Sequence, residues 1–221
     1  MRRADIRPAA EPVPLTGETD RTPWGRAEAI EIACFPWYES GERQATTARL
    51  LYDEKALYVQ YRCKDRHISC EHAELNSSVC RDSCVELFAS IEPERAPDYF
   101  NLETNACGTM LMGFGPGREG RNRIRQETAS RIRIVTSVPG PTKEESPDDD
   151  GWWLAASVPF EALAEFTGRP VRPRAGTVWR GNLYRCGGKT DDQYACWNPI
   201  DAPAPDFHRP ESFGELRFAA S

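Results

Sequence analysis

Apolar and polar residues alternate in short runs along most of this chain. Runs of that period form strands, whose successive side chains point to opposite faces. The run Tyr99-Phe100-Asn101-Leu102-Glu103-Thr104-Asn105 is the clearest. Phe100, Leu102 and Thr104 share one face, predicted to be core. Tyr99, Asn101, Glu103 and Asn105 share the other, a row of two amides, a carboxylate and a phenol. Ser83–Ser90 and Gly108–Phe114 predict strands on either side. Glu86 lies with Cys84 and Phe88 on one face of the first, and Met110 and Met112 share a side of the second. Glu28–Ile32, Ala48–Tyr52, Ala56–Lys64, Trp152–Val158, Thr177–Cys186 and Glu215–Phe218 alternate in the same way. In Thr177–Cys186, Val178, Arg180, Asn182 and Tyr184 fall on one side. Pro159 opens the one helical segment, Phe160–Phe166, where proline suits the first turn.

About ten or eleven strands with one short helix, punctuated by turn signals, predict an all-β fold: an antiparallel β-sandwich in one domain. Residues 1–23 are polar, proline-containing and without period, and are expected as an arm on the surface. Residues 24–221 are expected as the sandwich, opened by Trp24.

Charge and composition then narrow the partners. The net charge of −6 provides no basic footprint, which argues against nucleic acid. No apolar run is long enough to span a bilayer. The basic start, Met1-Arg2-Arg3, is followed by no apolar segment, so no signal peptide is read and a cytoplasmic protein is expected, unless a leader has been removed. The eight cysteines are scattered, several within strand patterns, and are expected as reduced, mostly buried thiols. Cys80 and Cys84, with Cys70, His67 and His72, form a minor zinc option, opposed by a strand that would aim Cys84 inward. Asp148-Asp149-Asp150 is expected as a solvated loop, with calcium as a minor option there. The arginines from Arg121 to Arg133 read as a solvated face paired with carboxylates.

Five segments, in this order, resemble the family 9 carbohydrate-binding modules. Ala48–Val59 is similar to the family's early hairpin. Asp82-Ser83-Cys84-Val85-Glu86-Leu87-Phe88 resembles its central strand, and Tyr99–Gly108 the strand that follows. Trp153–Phe160 resembles the late strand leading into a helical turn, and Phe207–Leu216 the C-terminal signature. The likeness runs from about Trp24 to Phe218 and covers the predicted strands. It implies a non-catalytic sandwich that binds mono- or oligosaccharides, clamps the sugar ring between two tryptophans, and carries structural calcium. The first clamp position falls at Val79 or Cys80, neither aromatic. The second falls at Phe207. Glu86 matches a polar sugar contact of the family, and Asn101 stands where the family can place an arginine. Trp197, or Trp37 in the aromatic turn Phe35–Tyr38, is the substitute for the missing clamp partner.

The candidate ligand-binding residues are therefore Glu86, Asn101, Glu103, Asn105, Arg180, Asn182, Tyr184, Trp197 and Phe207. An aromatic ring to stack a sugar's C–H face, with fixed hydrogen bonds beside it, is the required chemistry. The ordinary alternative for the same residues is a half-solvated sheet face over a core. His208 is expected to bond backbone in a tight turn. Other readings stay open. Glu86 and Glu103 are a carboxylate pair of the kind a glycosidase needs. A haem-binding sandwich would use Met110 and Met112 as ligands. A protein-interaction module would expose the loop around Trp37. Oligomeric state is not legible.

Overall fold

The computed structural model describes residues 1–142 and 144–220. Thirteen strands and two helices follow one another in the order β1 (Arg3–Pro8), β2 (Ile30–Glu31), β3 (Thr46–Tyr52), β4 (Ala56–Cys63), β5 (Cys84–Ser90), β6 (Tyr99–Asn105), β7 (Met110–Gly115), β8 (Asn122–Arg123), α1 (Gln126–Ala129), β9 (Arg133–Thr136), β10 (Trp152–Pro159), α2 (Phe160–Thr167), β11 (Val178–Cys186), β12 (Tyr194–Cys196) and β13 (Gly214–Phe218). The helix expected after Pro159 is α2; α1 is a single turn.

The strands hydrogen-bond in the order β8-β7-β6-β5-β11-β13-β1-β3-β4-β10-β9, with β12 on β11 and β2 on β3. The path curls on itself into two facing layers. β1 is the corner between them. Its residues Arg3–Ile6 pair with β13, and Arg7–Pro8 pair with β3. Both pairings are parallel, whereas all others are antiparallel. The sheet is therefore mixed, and its strand number exceeds the expected count because β1 and the short strands β8 and β12 carry no legible period.

β1 also corrects the reading of residues 1–23 as an arm. Ala4 and Ile6 point into the core, and the backbone bonds strands on both sides. The polar neighbours Arg3, Asp5 and Arg7 mask this short alternation. Beyond Pro8 the segment runs over the outside of β3, β4 and β10. There Val13 and Leu15 pack with Trp24, Leu51 and Ala155, and Trp24 Nε1 donates to the Pro14 carbonyl at 2.8 Å.

The principal core lies between the layers. Leu50, Leu57, Val59 and Leu154 of one layer meet Val85, Leu87, Phe100, Leu102, Leu183 and Leu216 of the other. Met110 and Met112 belong to this core, which removes them as exposed haem ligands. Within it sits an ion pair of Asp65 and Arg185. Asp65 also accepts from Ser83 Oγ at 2.7 Å and Trp152 Nε1 at 3.0 Å. Such a buried carboxylate is tolerable only because its acceptor capacity is used.

The thiol expectation needs correcting at one pair: Cys70 and Cys107 form a disulfide. The other six cysteines are free, and Cys63, Cys84, Cys186 and Cys196 are buried. With Cys70 so engaged and His72 bonded to Asp82 at 3.1 Å, the zinc grouping does not assemble. Among the described residues no three His, Cys, Asp or Glu side chains converge to hold a metal. Asp149 accepts from the Ile68 amide and Asp150 pairs with Lys64 at 2.8 Å.

Candidate functional site

The outer face of β5, β6 and β11 carries the row singled out in the sequence. Register sets it: Glu86 opposes Glu103 across β5 and β6, Phe88 opposes Asn101, and Tyr184 opposes Glu86 across β5 and β11. This face is not the half-solvated one of the ordinary alternative. Cys84, Phe88, Tyr99 and Tyr184 pack there with Ile200, Phe207 and Phe213 in a second, smaller apolar cluster. The segment between β12 and β13 roofs the sheet. Its length, proline and aromatics were legible; that it covers the polar row was not, because period reports only which side a residue takes.

A cavity of about 260 Å³ opens between roof and sheet. Glu86, Glu103 and Phe88 line it from the strands, Cys80 and Arg81 from the turn before β5, Arg118 from the turn after β7, and Asp206, Phe207 and His208 from the roof. Cys186 and Tyr194 complete it. Phe207 lies flat on Tyr184, with centroids 4.1 Å apart and rings 8° from parallel. The Tyr184 hydroxyl donates to the Phe207 carbonyl at 3.1 Å, which fixes the ring from below. Behind Phe207 stands Trp37, 6.0 Å away, its Nε1 tied to the Ala202 carbonyl.

The polar groups are held as firmly. Asn101 donates to Glu103 Oε1 at 2.7 Å and accepts from Arg121 Nε at 3.0 Å. Arg121 lies over the Tyr99 ring at 4.3 Å and bonds the Gly117 carbonyl at 2.7 Å, so it is no solvated arginine. Gly113 makes this possible: a Cβ there would meet Asn101 Oδ1 at 2.7 Å and Arg121 Nε at 3.0 Å. His208 Nδ1 meets the Tyr99 hydroxyl at 2.8 Å, a side-chain partner instead of the backbone bond expected. Burial, reinforced by Arg121 and Arg118, lowers His208 to about 4. Burial also pushes both glutamates up. For Glu86 the Glu103 carboxylate adds to the effect, and for Glu103 the Asn101 amide opposes it.

The nine predicted residues divide. Glu86, Glu103 and Phe207 line the cavity, with Tyr184 and Asn101 directly behind them. Asn105 is spent on the end of β6, donating to Asp82 Oδ2 at 2.7 Å and the His72 carbonyl at 2.8 Å. Asn182 exchanges two bonds with the Asn198 backbone, at 2.9 and 2.8 Å. Arg180 donates to the Phe213 carbonyl at 2.7 Å, away from the cavity. Trp197 packs in the principal core against Gly214. Arg118, Asp206, His208 and Tyr194 are among the lining residues the candidate set omits. The sequence marks the first three only as loop residues; Phe88 and Cys186 share faces with Glu86 and Tyr184 and follow from alternation.

Glu86 and Glu103 stand side by side on the floor, because directly opposed cross-strand residues project together. They do not face each other across a substrate-sized gap as glycosidase carboxylates do.

The family model for carbohydrate-binding family 9 matches residues 23–218. No curated protein matches the chain. Among solved structures, a candidate carbohydrate-binding protein of Bacteroides uniformis superposes with a TM-score of 0.85 at 25% identity, covering 98% of this chain and 99% of that one. A family 9 module of Caldicellulosiruptor kristjanssonii, solved with glucose, superposes with a TM-score of 0.66 at 17% identity over 100% and 97%. The same organism's family 9 module with cellotriose gives 0.64 at 16% over 100% and 95%.

Proposed function

Because this chain belongs to carbohydrate-binding family 9, a non-catalytic family, we propose that its sugar site is the roofed cavity over β5, β6 and β11. The protein is a carbohydrate-binding domain and not an enzyme. One observation carries the placement. Cys80, one of the two residues at the first clamp position of the family resemblance, and Phe207, at the second, line one cavity together with the Glu86–Glu103 floor.

In this reading one sugar ring enters the cavity. Its C–H face lies on Phe207, which Tyr184 and Trp37 hold in place. Glu86 and Glu103 bond its hydroxyls, and Arg118, His208 and Tyr194 border it. The second tryptophan wall is absent, so stacking is one-sided. Affinity then depends on the fixed polar floor more than on the clamp, since groups already positioned lose little entropy on binding. Buried carboxyls left unpaired by a sugar lacking the matching hydroxyl also penalise that sugar.

Titration calorimetry with glucose and cellotriose tests the reading. Saturable heat in the wild type that is lost in a folded Phe207→Ala variant is the expected result. Equal binding by wild type and Phe207→Ala would move the site elsewhere, and silence across a broad sugar panel would overturn it.

A further inference from the structure

The cavity floor carries more acid than a neutral sugar requires. Glu86 and Glu103 are 2% and 5% exposed, directly opposed, and both reach the cavity. Neither takes part in an ion pair among the described residues. Glu86 has the Cys186 thiol at 3.3 Å, and Glu103 has the Asn101 amide. The nearby cations are engaged elsewhere or stand outside. Arg118 is held by Asp206 at 2.6 Å, Arg121 by Asn101 and backbone carbonyls, and Arg81 and Arg123 are exposed; Arg123, Arg121 and Arg118 favour the Glu103 charge without pairing with it. Two neighbouring buried carboxyls with no direct ion-pair partner are costly to ionise. A ligand that brings its own cation relieves that cost.

We propose that the cavity selects an amino sugar, its ammonium seated between the carboxylates of Glu86 and Glu103 and its ring against Phe207. This deepens the sugar-site reading and rests on it. An ammonium is compact and offers three donors, enough for both carboxylates and one further acceptor. A hydroxyl at the same place offers one donor and no charge. Hydrogen bonds between ionised partners are about twice as strong as neutral ones. Arg118, locked to Asp206, is not free to fill the position from the protein side.

The test is calorimetric titration of the full chain with glucosamine, N-acetylglucosamine and glucose, in a near-neutral buffer where the free amine carries its proton. Glucosamine is expected to bind about tenfold or more tighter than glucose. N-acetylglucosamine, which keeps the nitrogen and loses the charge, is expected to lose that advantage. Glu103→Gln and Glu86→Gln, checked for folding by near-ultraviolet circular dichroism, are expected to bring the glucosamine-to-glucose ratio towards one. Saturable glucose binding as tight as that of glucosamine would overturn the amino-sugar inference and leave the sugar site standing. A preference that survives in both glutamine variants would equally overturn it. Binding of none of the three sugars would overturn the inference together with the site.

Discussion

At the scale of single residues, Glu86 holds the least comfortable position in the molecule. Burial and the Glu103 charge push its acid well above the ordinary carboxylate value of 4.5. The sign follows. Its contribution to stability is complete below the unfolded value and is lost as pH rises through the folded one. Glu86→Gln is therefore expected to stabilise the fold by about 1 kcal/mol or more at neutral pH, by removing a buried charge without a counter-ion. The gain should shrink as pH falls, because the wild-type acid then protonates. Urea unfolding of both proteins over a pH series reads it; a difference constant with pH would contradict the argument. His208 acts oppositely. Its folded value of about 4 lies below the unfolded 6.5, so its contribution is lost as pH falls through that interval. Comparison of wild type with Glu86→Gln cancels the His208 term, provided that the variant leaves His208 unmoved. Asp65 is different again. It accepts from Ser83, Trp152 and Arg185, and Asp65→Ala strands a buried guanidinium. A loss of about 3–5 kcal/mol is expected on urea unfolding.

At the scale of elements, the alternating runs were legible where one strand face met the principal core. Phe100 and Leu102 turn inward and Asn101 and Glu103 outward, as period alone requires. Alternation does not report what covers the second face. Asn105, Asn182, Arg180 and Trp197 were grouped with the site because strand position and chemistry matched. The structure spends them on a strand end, the Asn198 backbone, the Phe213 carbonyl and the inner core. Of the roof's lining residues only Phe207 entered the candidate set, through the family resemblance; Asp206 and His208 did not, since an aperiodic loop carries no signal of where it lands. β1 was illegible for another reason: two buried residues in six, with prolines after them, resemble a tail. Yet this strand pairs on both sides, and its removal exposes the edges of β13 and β3 at once. Deleting residues 1–8 is expected to give a chain that aggregates or melts at far lower temperature, measured by light scattering and thermal unfolding. A truncated chain as stable as the parent would show that the two layers hold together without their corner.

At the scale of the whole molecule, one covalent tie spans the loops at one end of the sandwich. The Cys70–Cys107 disulfide joins residues 37 apart in sequence. Closing a loop of that length is expected to contribute roughly 4 kcal/mol in the chain-entropy account. Cys70→Ser with Cys107→Ser should lower the urea midpoint accordingly, and reductant should destabilise the parent but not the double variant. The same tie steadies the segment leading to Cys80 and Arg81, so weakened sugar binding in the double variant is expected alongside the lost stability.

The parallel corner also has a bearing on how the protein is made. Ile6 pairs with Phe218, so β1 meets its parallel partner only after roughly 210 further residues have been translated. At ordinary elongation rates, on the order of ten seconds or more separate the two. Throughout that interval the Arg3–Ile6 edge of β1 has no β13 to pair with, and the two layers cannot lock. Folding is thereby deferred until β13 has emerged, and the nascent chain is a natural client for whatever holds unfinished polypeptides apart.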